Sequence, residues 1–173
     1  YQDFLCLTYG TGVGGAIVLN GNIHHGNNWS GGSFGAMLIH PEQRRPDKEL
    51  SGCYELCAST TALVRAAGRV SPKLTDGRRI FEAFERPEVK KVVDDWIDEI
   101  VYGLMTLTAV FDPPLIVLGG GILAQPYVLQ EVQKRTMESL EPNLRGVQIK
   151  KAELGNRAGM MGAVGLVQKK ISK

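Results

Sequence analysis

The feature that most constrains this chain is the run Leu7-Thr8-Tyr9-Gly10-Thr11-Gly12-Val13-Gly14-Gly15-Ala16-Ile17-Val18-Leu19, two apolar strand-like segments joined by a turn made almost wholly of glycine and threonine. Glycine is needed where the backbone takes positive φ or where a bulky anion approaches the amides, and a threonine hydroxyl adds a donor without closing that approach. The segment suits a cradle for nucleotide phosphates. It suits equally a tight hairpin in an ordinary β protein.

The remaining chain narrows the choice. Its 173 residues, 43% of them hydrophobic, are the length of one domain with enough apolar side chains for a sizeable core. Net charge is only +2 and the basic residues are scattered, as at Arg44, Arg45, Arg78, Arg79, Lys90 and Lys91. No extended basic stripe therefore argues for nucleic acid. Lys169, Lys170 and Lys173 read as a solvated helix end. No apolar run approaches the roughly 20 residues of a membrane span, and no signal peptide precedes the first strand. The cysteines, Cys6, Cys53 and Cys57, are odd in number and fit a reducing compartment, so a cytoplasmic location is expected. Tyr1-Gln2-Asp3 leads straight into a strand with no initiator Met. The expectation is a domain whose N-terminal partner is missing.

Residues 4–9 and 16–19 are short, apolar and bounded by glycine, and read as strands. Asn20-Gly21 is a strong hairpin signal, because a type I′ turn needs positive φ at both central residues; residues 22–25 would form a third strand. Residues 26–35 are too glycine-rich and polar for regular structure, and residues 40–51 form a charged excursion punctuated by Pro41 and Pro46. Glu55, Leu56, Ser59, Thr60, Leu63, Val64 and Ala67 fall at helical spacing, with Gly68 as the C-cap. Thr75-Asp76-Gly77 marks a turn, followed by a helical patch over residues 80–84. The longest helix follows: Val89, Val93, Trp96, Ile97, Ile100, Leu104 and Leu107 keep the period until Asp112-Pro113-Pro114 stops it. Residues 115–118 are a strand ended by Gly119-Gly120-Gly121. A helix from Pro126 to about residue 140, a strand over 147–152 and a helix over 158–171 complete the order.

Three antiparallel strands followed by alternating helices and strands predict an α/β domain with a five-stranded mixed sheet flanked by helices, of the ribonuclease-H-like kind, with ligands at the carboxyl ends of the parallel strands. Two glycine clusters, residues 10–15 and 119–121, lie at such ends. If their strands are neighbours, the first can wrap phosphates while the second lets adenine or ribose lie against bare backbone.

Five segments together resemble a known family. They are Leu7 to Val18; Gly26-x-Asn28 with Gly32-x-Phe34-Gly35-x-Met37; Gly52-Cys53-x-Glu55-x-x-Ala58-Ser59; Ile116 to Gly121; and Ala158-Gly159-x-x-Gly162-Ala163. In this order they are similar to the C-terminal domain of ROK proteins (repressors, open reading frames and kinases) of the actin-like ATPase superfamily. The resemblance implies an ATP-dependent sugar kinase that uses ATP with Mg²⁺ and takes a hexose, amino sugar or glucoside. Residues 1–173 would be its nucleotide-side domain, with Gly10, Thr11 and Gly12 at the phosphates and Gly119, Gly120 and Gly121 at the adenosine. Glu55 matches a glutamate that binds sugar hydroxyls, and Asn28 and Gly32 fall in the sugar-side motif.

Departures accompany the match. Where the family has Gly-Glu-x-Gly-His-Met this chain has Gly32-Ser33-Phe34-Gly35-Ala36-Met37, so two sugar contacts are gone. That histidine is also a zinc ligand in many members, with three cysteines whose positions are here Pro46, Lys48 and Cys53. One thiolate does not make a tetrahedral site, so no structural zinc is expected; His40, Cys53 and Cys57 could hold a metal only in a fresh arrangement, and buried or idle thiols are the stronger reading. The family's general base, an aspartate in an Asn-Asp pair, has no counterpart in this sequence. A positioned base is worth about 100- to 10,000-fold in rate, so the chain alone is expected to be inactive and to need the missing N-terminal domain. Two other readings stand beside the kinase: the effector-sensing domain of a ROK-type repressor, and a degenerate sugar-binding protein. The long helix, with Trp96 and Tyr102, offers a seam for a homodimer as readily as a core face. Trp29 is suited to stack on a pyranose or an aglycone.

Overall fold

The computed structural model describes residues 1–171, without the side chains of Asn156, Leu166, Lys169, Lys170 and Ile171. The expected solvated lysines 169, 170 and 173 therefore fall outside what is described. Strands β1 (Phe4–Tyr9), β2 (Val13–Leu19), β3 (Asn22–Ile23), β4 (Leu115–Gly119) and β5 (Gln148–Lys151) form one sheet in the order β3-β2-β1-β4-β5. β1 is antiparallel to β2 and parallel to β4, and β4 is parallel to β5. The alternation in β1 buries Leu5, Leu7 and Tyr9 on one face. Register extends that face across the sheet, because Leu5 stands opposite Ile17 on one side and Ile116 on the other, and Ile116 opposite Ile149.

Helices α1 (Tyr54–Ala58), α2 (Thr60–Val70), α3 (Gly77–Glu82), α4 (Pro87–Phe111), α5 (Pro126–Ser139) and α6 (Ala158–Ile171) complete the chain. Pro87 opens α4 where its missing N–H is no loss, and Asp112, left-handed at φ 41° and ψ 53°, closes it with its N–H on the Thr108 carbonyl. The stripe Val89, Val93, Ile97, Ile100 and Leu104 is fully buried and shares one core with Leu5, Leu7 and Leu118 of the sheet. Each such side chain contributes roughly 1.5–3 kcal/mol by leaving water. Trp96 belongs to the same core, 3% exposed, so of the two aromatic residues proposed for a dimer seam only the half-exposed Tyr102 faces outward.

Five expectations are corrected. β2 begins at Val13, three residues early, because the whole run 13–18 finds partners on β1. Asn20 and Gly21 do take positive φ, 51° and 70°, but β3 ends at Ile23; the His24 N–H still reaches the Ile17 carbonyl at 2.8 Å, and the chain then turns away into the glycine loop. The helix expected over 55–67 is two helices broken at Ser59, whose backbone is extended and whose hydroxyl caps α2 by accepting the Ala62 N–H. Gly68 is no cap: α2 runs through it to Val70. The helical patch expected at 80–84 starts at Gly77, because Asp76 caps it through the Arg79 N–H at 3.0 Å.

Candidate functional site

The bend between β1 and β2 is held from outside. The Gly10 N–H donates to the Gly12 carbonyl at 3.0 Å, the Thr60 N–H donates to the Gly10 carbonyl at 3.0 Å, and the Thr60 hydroxyl reaches the Tyr9 carbonyl at 3.3 Å. Glu55, in the first turn of α1, accepts the Val13 N–H on Oε2 at 3.1 Å. Beneath the bend the buried Tyr9 and Tyr54 hydroxyls meet at 2.7 Å, and Tyr54 also lies 2.9 Å from the Ile100 carbonyl, which accepts from it. Burial pushes both phenols well above their ordinary pKa, so they act as neutral hydrogen-bonding groups.

The triple glycine stands directly beside this bend. Thr8 pairs with Gly119 in the parallel register, and Gly120, at φ 122°, passes so close to β1 that a Cβ on it would lie 2.2 Å from the Tyr9 carbonyl oxygen. Only glycine permits that approach. The two clusters wall a cleft of about 500 Å³ lined by Thr8, Gly10, Thr11, Gly12, Gly120 and Gly121, with Gly155 and Ala158 at its far side. A neighbouring cleft of about 420 Å³ shares Gly10, Thr11 and Gly121 and extends to Thr60, Thr61, Asp76, Gly77 and Ile122. A Cβ at Gly10 or Gly121 would meet no protein atom within 4 Å, so both present bare backbone to the space they line. Gly119 does not line either cleft; it is the β4 residue that sets the register.

A third cleft, about 420 Å³, lies across Glu55 and is lined by Gly14, Gly15, Trp29, Gly32, Ser33, Ala36 and Leu50. Glu55 borders both this cleft and the glycine cleft. The fit around it is close, since a Cβ at Gly12 would fall 2.2 Å from its Oε2. Gly32, at φ 86°, packs on the Gly15 and Ala16 backbone. Asn28 is not brought into this lining: its side-chain oxygen accepts from Asn27 on the exposed loop. Thr60, Thr61 and Asp76 are lining residues that the sequence reading passed over. Their signal was the pair Thr60-Thr61 just after a helix break and the Asp76-Gly77 step, read only as a turn. The Asp76 carboxyl is held below its usual range chiefly by the Arg79 N–H, so it is ionised and engaged as a cap.

At the four positions where the resemblance places zinc ligands, Ala36, Pro46, Lys48 and Cys53, the side chains offer one thiol. A model of the ROK family matches residues 1–170. The chain belongs to the ROK family. It is 36% identical over 171 residues to the beta-glucoside kinase of Listeria monocytogenes serovar 1/2a, covering 94% of this chain and 55% of that protein. Among solved structures, the ROK hexokinase from Thermus thermophilus superposes with a TM-score of 0.83 at 30% identity, over 99% of this chain and 59% of the other. A ROK-family glucokinase from Streptomyces griseus, in complex with glucose and AMPPNP, gives 0.78 at 27% identity, over 96% and 60%. This ROK chain thus spans somewhat more than half the length of the relatives it matches. Its sheet and flanking helices are those of the actin-like ATPase sugar kinases, as the element order predicts. Among the described residues no helix is long and apolar enough to cross a membrane.

Proposed function

We propose that this chain is the nucleotide-side domain of a cytoplasmic ATP-dependent sugar kinase that phosphorylates a hydroxyl of a glucose-like sugar or glucoside. The observation that carries the reading is the meeting of the bend and the triple glycine in one cleft, with Glu55 on the border of a second. In phosphoryl transfer most of the catalysis is positioning and charge neutralisation. Backbone amides and the Thr11 hydroxyl at residues 10–12 are suited to the phosphates, and the bare backbone at Gly120 and Gly121, beside Thr60 and Thr61, to the nucleoside. Mg²⁺ supplies charge neutralisation and enters with the nucleotide, since the Asp76 carboxylate beside the cleft is spent on a cap.

On the other side, Glu55 keeps Oε1 for sugar hydroxyls while Oε2 is pinned, and Gly32 shapes the floor. Asn28 would need loop movement to take part. Ser33 and Ala36 shorten two side chains of the pocket, and Trp29 stands at its mouth, 79% exposed. A pocket widened in this way suits a substituent on the sugar, a reading supported by the similarity to a beta-glucoside kinase. The proton acceptor for the attacking hydroxyl and the opposing wall belong to a preceding domain in this reading, so the chain alone performs no transfer.

The test is titration of a fluorescent ATP analogue into the 173-residue chain, with ADP release followed in the presence of glucose and of an aryl β-glucoside. Saturable binding, abolished by Gly12→Val and unaccompanied by sugar-dependent turnover, is expected. Absence of nucleotide binding overturns the site. Sugar-stimulated ADP release by the chain alone overturns the division of labour.

A further inference from the structure

Away from the three clefts, a histidine, a cysteine and a glutamate from three different elements converge. His40 precedes the short turn Pro41–Gln43, Cys57 lies on α1 and Glu99 on α4, and their ligand atoms all lie within 4.8 Å of one another. The His40 ring is held at both nitrogens: Nδ1 is 2.9 Å from Glu42 Oε1 and Nε2 is 2.7 Å from Glu99 Oε2. A neutral imidazole donates from one nitrogen only. If the Nδ1–H goes to Glu42, the Nε2 lone pair faces a carboxylate oxygen. That contact needs something positive between the two atoms, a second proton or a metal ion.

The third group points to the metal. An imidazolium held by two carboxylates makes no use of a thiol, yet Cys57 brings a soft sulfur donor to the same point. We propose that His40 Nε2, Cys57 Sγ and Glu99 form a site for a zinc-like divalent cation, distinct from the four positions Ala36, Pro46, Lys48 and Cys53. Nitrogen, sulfur and oxygen donors together select zinc over calcium or magnesium. Tetrahedral bonds of about 2.0–2.3 Å separate ligand atoms by roughly 3.3–3.6 Å, so the ring and Glu99 open from 2.7 Å by about 0.6–0.9 Å, while the sulfur starts within 4.8 Å of both. Glu42 already stands where a second carboxylate fixes the tautomer of a metal-bound histidine. Cys57 and Glu99 also line a cleft of about 280 Å³ beside Gln43, Arg65 and Trp96, which gives the ion an entrance and room for a water as fourth ligand.

Such an ion joins the loop after Leu38 to α1 and α4. Cys57 is two residues beyond Glu55 on the same short helix, so the clip also steadies the carboxylate assigned to sugar; only this last consequence rests on the proposed function. From the sequence a metal at His40 and Cys57 is the weaker reading, because the ligand that unites them, Glu99, lies 59 residues from His40.

The experiment titrates Co²⁺, then Zn²⁺, into the chain after treatment with a chelator. One Co²⁺ per chain with a sulfur-to-cobalt charge-transfer band, displaced by Zn²⁺, is expected. The band is lost in Cys57→Ser and kept in Cys53→Ala and Cys6→Ala. Glu42→Gln weakens binding about 10- to 100-fold as the partner that orients the ring. Zn²⁺ raises the melting temperature of the wild-type chain by mass action and leaves that of Cys57→Ser unchanged. No saturable binding by the wild-type chain, or a charge-transfer band that survives Cys57→Ser, overturns the proposal without relying on any variant that fails to fold; ATP binding at the glycine cleft is a separate readout that neither result touches.

Discussion

On one side of Glu55 the cleft wall is a sheet in fixed register, with Thr8 opposite both Gly14 and Gly119; on the other it is the loop of residues 26–36, held mostly by its own turns. In that loop the Gly31 N–H reaches the His25 carbonyl at 2.8 Å, the Ser33 hydroxyl the Ser30 carbonyl at 2.8 Å, and the buried Phe34 ring fills the space that glycine leaves at position 15. The sheet wall is tied to the core through Tyr9, Tyr54 and Ile100. The loop wall meets the sheet at Gly32, Phe34 and Gly35, and the hydrogen bonds of its outer part, residues 26–31, stay close to the loop itself. On the sheet wall a side chain at Gly12 or Gly120 therefore disturbs the fold, whereas Trp29 and Ser33 on the loop wall can change far more freely. That division suits a nucleotide read by invariant backbone and a sugar read by exchangeable side chains.

The largest effect that would break this comparison is expected at Gly120. Gly120→Val combines a positive φ that valine tolerates poorly with a Cβ driven onto the Tyr9 carbonyl, and should cost about 3 kcal/mol or more. Urea denaturation should show a lower midpoint with nucleotide binding lost. An unchanged midpoint would mean that β1 and β4 separate at this end, and that the cleft wall is softer than the register implies.

Next in size is the tyrosine pair, where two nearly identical substitutions should differ. Tyr54→Phe strands the buried Tyr9 hydroxyl and takes one of two bonds from the Ile100 carbonyl, which keeps its place in the α4 ladder, and should cost about 2 kcal/mol. Tyr9→Phe leaves Tyr54 its bond to Ile100 and should cost about 1 kcal/mol. Equal losses in thermal denaturation would show that the Ile100 contact contributes nothing.

Smaller again is Ser59→Ala, which removes the cap of α2 and should cost about 1 kcal/mol. Ser59 also marks the limit of what could be read from the sequence. The apolar stripe of α4 and the Asn20-Gly21 bend were legible because period and turn chemistry are local. The adjacency of the two glycine clusters was legible only as a condition, that their strands be neighbours, which the parallel pairing of β1 with β4 meets. The break at Ser59 was not legible: the apolar period continues straight through it, while the Trp96 Nε1–H donates to the Ala58 and Ser59 carbonyls from 38 and 37 residues away. Gly68 misled for the converse reason. Glycine is a C-cap only where the chain must turn left-handed, and here α2 continues to Val70. At the site, Glu55 was reached through its motif, but its bond to Val13 depends on α1 docking against the hairpin. Thr60, Asp76 and Glu99 acquire their places only from that tertiary packing.

The smallest effect on stability is expected at Trp29, and it sharpens the comparison most. Its indole is 79% exposed, sits at φ 58°, and leans on His25 with ring centroids 4.3 Å apart. Nothing in the core depends on it, so Trp29→Ala should leave the urea midpoint within about 0.5 kcal/mol of wild type. Function should respond instead. In the longer kinase that the proposed function implies, loss of an aromatic platform worth about 0.5–1.5 kcal/mol should raise KM for an aryl β-glucoside about 10-fold or less, with glucose and ATP nearly unaffected. A fall in stability would make the loop part of the fold after all. Equal changes for glucose and the aryl glucoside would move Trp29 from the substituent to the pyranose ring itself.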